Sequence, residues 1–82
     1  MKPANNCVSV GDTVRVRYLT DDKRTVNRTI SKSGTDLSRG IINELAPMAK
    51  ALLGAEQGDE VEVLIGSYIR SAVIENISTN SA

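Results

Sequence analysis

Eighty-two residues, 40% of them hydrophobic and 24% charged, with a formal net charge of zero, describe a single small globular domain. No apolar run is long enough for a membrane-crossing helix, no charged-plus-apolar leader opens the chain, and the zero charge argues against a general nucleic-acid binder. The chain has no His, Trp or Phe, so the commonest metal ligand and general base is missing, and only Tyr18 and Tyr68 can stack on anything.

Residues 1–7 are polar and contain Pro3, and read as a disordered lead-in to a domain spanning residues 8–77. Cys7 stands alone, which rules out an intramolecular disulfide framework and points to a reducing cytoplasm. Gly11-Asp12 then turns the chain into Thr13 to Tyr18, where Val14, Val16 and Tyr18 share one face and Arg15 and Arg17 the other. This period of two predicts a half-buried strand. Thr20 to Arg24 reads as a polar hairpin connection. It leads to a weaker strand over Thr25 to Ser31, expected at a sheet edge because Arg28 interrupts its apolar side. Lys32 to Gly40 is rich in Ser, Gly, Thr and Asp and reads as a loop, with a turn starting at Thr35-Asp36. Ile41 to Asn43 adds a short extended piece.

Pro47 suits the first position of a helix, since its missing N–H costs nothing there. Met48 to Leu53 are helix formers, with Met48, Ala51 and Leu52 forming the apolar stripe, and Gly54 is expected to close the last turn. Gly58-Asp59 then enters a second strand, with Val61, Val63 and Ile65 alternating with Glu60 and Glu62. Gly-Asp-x-Val-x-Val thus occurs twice, too short for a structural repeat and explained by two strands starting from one kind of turn. Gly66-Ser67 makes a tight hairpin into Tyr68 to Ile77. The alternation of that last strand is imperfect. A bulge or a strand buried on both faces accounts for it, and the central strand is the preferred explanation. Residues 78–82 read as a disordered tail.

The run Ala46-Pro47-Met48-Ala49-Lys50-Ala51-Leu52-Leu53-Gly54, followed by Gly58-Asp59 and Val61-Glu62-Val63, resembles the carboxy-terminal domain of the GreA/GreB transcript-cleavage factors. The resemblance extends over about Val8 to Ile77 and is specific from about Ile42 to Val63. It departs at Ala46, where the family usually has a capping Ser. What it implies is an α+β, FKBP-like domain: an antiparallel sheet of four to five strands, with the last strand central, and one short helix. It also implies a bacterial protein-binding module that docks on RNA polymerase near the secondary channel and modulates elongation. In the family, acidic residues at the tip of an amino-terminal coiled coil stimulate cleavage. No heptad pattern occurs here, so this chain is not expected to carry that activity. Nucleoside diphosphate kinase regulators share the domain. Whether the chain is an excised domain, a stand-alone relative or a module of another protein stays open.

Carried over position by position, the loop that contacts polymerase is Glu44, Leu45, Ala46, Pro47 and Met48. Ala46 offers no oxygen to the helix N–H groups, which leaves them to a partner's acceptor. Leu45, Pro47 and Met48 offer apolar contact and Glu44 a charge. Leu45 and Met48 read equally well as plugs for the bottom of the core. No enzyme activity, metal site or cofactor is expected. Asp21-Asp22 and Glu60/Glu62 read as solvated surface, Cys7 lacks a base, and the aromatic pocket of FKBP-like prolyl isomerases is missing. The alternative function is a nucleic-acid-associated accessory domain of a larger DNA or RNA enzyme. It would use Arg15, Arg17, Lys23, Arg24, Arg28, Lys32 and Arg39 if these converge on one face.

Overall fold

Two Gly-Asp turns set the register of the molecule. The computed structural model describes residues 7–19 and 24–79. In Ser9-Val10-Gly11-Asp12, the Asp12 N–H donates to the Ser9 carbonyl at 3.0 Å, and the Ser9 N–H returns a bond to Asp12 Oδ2 at 2.9 Å. In Glu56-Gln57-Gly58-Asp59 the same two bonds recur at 3.0 and 2.9 Å. Gly11 and Gly58 sit at φ 100° and 95°, a region that a side chain would strain. Each turn runs straight into a bulge on a buried isoleucine. Gly11 donates to the Ile30 carbonyl while Ile30 donates to that of Asp12, and Gly58 and Asp59 do the same with Ile74. The repeated sequence is therefore one turn-and-bulge device used twice. This also explains why Asp12, the one buried charged residue among those described, is tolerated.

From these turns run β1 (Thr13–Tyr18) and β4 (Glu60–Ile65). Their hairpin partners are β2 (Thr25–Ser31) and β5 (Tyr68–Ser78), and β3 (Ile41–Asn43) completes a five-stranded sheet in the order β3-β2-β1-β5-β4. One short helix, α1 (Pro47–Leu52), packs on it, mainly against β4. This is the expected α+β arrangement, with one pairing, β2 to β3, running parallel. Of the connection expected over Thr20 to Arg24, only Arg24 is among the described residues, and residues 1–6 and 80–82 lie outside them as well.

The core lies between the inner sheet face and the helix. Val14, Val16, Ile30, Leu52, Val63 and Ile74 are its largest fully buried side chains. Arg15, Glu60 and Glu62 face outward, as period two requires. The broken alternation of β5 resolves as a bulge. Arg15 pairs with Asn76 and Val16 with Ile74, so one step along β1 corresponds to two along β5. Glu75 is the extra residue, and Ile74 and Ile77 both pack toward the core despite their odd spacing.

Some local expectations are corrected. β2 is an edge only over Thr25 to Arg28 among the described residues, because β3 covers it from Thr29 to Ser31. Arg28 remains tolerable there, half-buried with its guanidinium donating to the Asn27 carbonyl at 2.9 Å. The buried face of α1 is Ala49 and Leu52, with Met48 and Ala51 half-buried beside them. Gly54 does not close the helix. Leu53 leaves helical conformation at φ −60°, ψ 131°, and Gly54 follows at φ 85°. The Ala55 N–H then bonds the Leu52 carbonyl at 3.0 Å, which makes a type II turn. The Gly54 N–H goes to the Val8 carbonyl instead. At the far end, Ser78 belongs to β5 rather than to a tail.

Candidate functional site

The loop between β3 and α1 is held by Asn43, a residue the sequence reading did not single out. Its carboxamide nitrogen donates to the Ser33 carbonyl at 2.6 Å and to that of Lys32 at 3.4 Å. Its Oδ1 accepts the Leu45 N–H at 2.8 Å. Its backbone N–H reaches Thr35 Oγ1 at 3.1 Å, and its carbonyl accepts the Ala46 N–H at 2.9 Å. One side chain thus ties the 32–35 loop to the turn that enters the helix. An Asn two residues before the turn's exposed residue and four before Pro47 fits an Asx-turn, and that spacing was the available signal.

The five candidate residues divide under this arrangement. Glu44 is half-buried, with its N–H donating to the Ser31 carbonyl at 2.8 Å, and no ion pair involves it among the described residues. Leu45 stands in solvent, 70% exposed, while its backbone is fixed by Asn43. Ala46 is the residue before the helix and makes no side-chain cap, as its chemistry requires. Pro47 is exposed at the first helical position. Ala46 and Met48 pack against the core, so Met48 takes the plugging role and Leu45 does not. The loop therefore presents Leu45 and Pro47 outward on a backbone locked from below.

The arginines do not gather into one patch. Arg15 and Arg17 lie on the outer sheet face, but Arg28 pairs in register with Val14 and belongs to the opposite face. Arg17 Nε is paired with Glu75, the bulge residue, in a shallow polar groove that Arg15 and Gln57 also line. Glu60 and Glu62 occupy the same outer face as the two arginines. Lys23 lies outside the described residues. A surface of this mixed sign suits a protein partner better than a phosphate backbone.

The described carboxylates are dispersed. Asp12 and Asp59 are engaged by backbone N–H groups of their own turns, Glu60 and Glu62 are exposed, and Asp21-Asp22 lies outside the described residues. Among the described residues no three His, Cys, Asp or Glu side chains are grouped to hold a metal ion. No helix among them is long and apolar enough to cross a membrane.

Residues 3–79 match the family model described as transcription elongation factor, GreA/GreB, C-term. Over 61 residues the chain is 36% identical to the transcription elongation factor GreA of Helicobacter hepaticus, covering 74% of this chain and 37% of that protein. Over 74 residues it is 32% identical to the GreA of Nautilia profundicola, covering 90% of this chain and 46% of that one. The chain thus spans less than half the length of these curated relatives. Among solved structures, a GreA/GreB elongation factor from Nitrosomonas europaea superposes with a TM-score of 0.72 at 29% identity, over 93% of this chain and 63% of that one.

Proposed function

This chain belongs to the GreA/GreB carboxy-terminal domain family, and from that premise we propose that it is a non-catalytic docking module for bacterial RNA polymerase. It works in the cytoplasm, seats near the secondary channel through the loop Glu44 to Met48, and modulates elongation. The observation that supports this reading is Leu45, an apolar side chain 70% exposed on a backbone that Asn43 holds rigid. A fixed loop loses little conformational entropy on docking, so its apolar contact is retained as affinity. Pro47 stiffens the neighbouring position for the same reason, and Glu44 supplies a charge for a basic group of the partner.

The chain by itself does not stimulate transcript cleavage. Of its described acidic side chains, Asp12 and Asp59 are engaged in turns, Glu75 is paired with Arg17, Glu60 and Glu62 are exposed, and no three group to hold a metal ion. Added alone to a backtracked polymerase, it competes with a full-length Gre factor and yields no cleavage product. Cleavage by the purified chain would overturn this assignment.

The docking loop is tested with the double variant Glu44→Lys, Pro47→Ala. Both side chains lie outside the buried core, so thermal unfolding should stay near the parent's. Binding to immobilised polymerase should weaken about tenfold or more, as for the loss of a central interface contact. Parent-like affinity in a folded variant places the interface elsewhere. Tight, steeply salt-dependent binding to nucleic acid without polymerase would favour the accessory-domain alternative.

A further inference from the structure

The strand β4 lies at an edge of the sheet, with β5 on one side and, among the described residues, no strand on the other. The register determines which of its backbone groups face the open side. Gly58 and Asp59 exchange bonds with Ile74 at one end of the hairpin, and Ile65 pairs with Tyr68 across the two-residue loop at the other. Bonded and non-bonded pairs alternate along an antiparallel ladder. Val61, Val63 and Ile65 therefore bond to β5, and the N–H and C=O groups of Glu60, Glu62 and Leu64 point outward. None of these groups takes a backbone partner elsewhere among the described residues.

The side chains of the same three residues share the outer face, opposite Val73, Ser71 and Ile69. Neither Glu60 nor Glu62 has an ion pair among the described residues. Beyond them Leu64 and Ile69, 50% and 68% exposed, form a bare apolar cross-strand pair. We propose that this edge accepts an extended segment of a partner protein as an added strand, with basic side chains meeting Glu60 and Glu62 and an apolar one covering Leu64 and Ile69.

Strand addition draws affinity from main-chain bonds and specificity from alternate side chains, and both are laid out here. The charge selects the occupant. A second copy running antiparallel in the register of fullest overlap would set Glu62 against Glu62, and like charges directly opposite destabilise a pair. A basic strand turns the same positions into attractions. The site is separate from the Glu44–Met48 loop and does not depend on it.

The test is a titration of the isotope-labelled chain with two short blocked peptides. In one, threonine alternates with a leucine followed by two lysines. In the other, glutamates replace the lysines. The basic peptide should move the amide resonances of Glu60, Glu62 and Leu64 and slow their exchange with solvent, and the acidic peptide should not. Glu62→Pro removes one outward N–H while sparing every bond to β5, and should weaken the basic peptide about tenfold. Glu60→Lys with Glu62→Lys keeps every N–H and should reverse the preference, so the proposal remains testable if the proline variant fails to fold. Equal binding of both peptides, no shifts at these amides, or concentration-dependent shifts without peptide would each overturn it, the last in favour of self-association.

Discussion

Replacing Asn43 by Ala removes the clasp beneath the candidate docking loop, and its cost can be worked from the bonds described. The short bond to the Ser33 carbonyl and the bond from the Leu45 N–H are lost, together with a weak third to Lys32 at 3.4 Å. A net hydrogen bond contributes about 0.5–1.5 kcal/mol, and the freed groups here are near solvent and can rehydrate. Asn43→Ala should therefore destabilise the domain by about 1–2 kcal/mol, read as a lower urea midpoint at unchanged slope. Asn43→Asp separates the two halves of the clasp. The carboxylate still accepts the Leu45 N–H, but it has no donor for the carbonyls of Ser33 and Lys32 and repels them. Both variants should lose stability, while only the alanine exposes the Leu45 amide to rapid hydrogen exchange. Equal protection of that amide in both, or a cost below about 0.5 kcal/mol for Ala, would refute the role given to Asn43. Polymerase affinity should follow amide protection and not overall stability, since the docking proposal requires a fixed loop.

Gly11→Ala and Gly58→Ala should cost about the same, roughly 1 kcal/mol each. An added Cβ meets nothing within 4 Å at either position, so only the left-handed backbone is penalised. Matched denaturation midpoints check the equivalence of the two turns, and a cost at one site alone would refute it. Leu52→Ala, at a side chain with no solvent exposure under the sheet, should destabilise by about 2–5 kcal/mol. A smaller loss in urea titration would mean that the helix is not the lid of the core.

The sequence made the strands legible wherever one face is buried and the other wet. Val14, Val16 and Val63 against Arg15, Glu60 and Glu62 leave only one register open, because a slip of one residue inverts every side chain. The doubled Gly-Asp also announced its turn. β3 was readable as an extended piece, but three residues carry no period, so its parallel pairing with β2 could not be foreseen. The bulge was visible as a fault in the alternation of β5, while its position at Glu75 depends on which residue of β1 lies opposite. In the candidate loop, Pro47 and the missing cap at Ala46 were apparent from residue type alone. The part of Asn43 was not, because its partners are backbone carbonyls ten and eleven residues away in a loop whose composition says only that it is polar. The division of labour between Leu45 and Met48 likewise depends on how Asn43 aims the turn.

The paired turn-and-bulge devices have a consequence for how the chain finds its fold. Each hairpin is closed at both ends, by its own connecting loop at one and by a clasp on Ile30 or Ile74 at the other. Each half can thus settle its alignment from nearby residues alone. Between the two hairpins there is then a single seam, β1 against β5, which brings Thr13 to Ser78. That seam joins residues farther apart in sequence than any other strand pairing, the kind of ordering that slows the folding of sheet proteins. Damage to a clasp should act before the halves meet, and damage along the seam only afterwards.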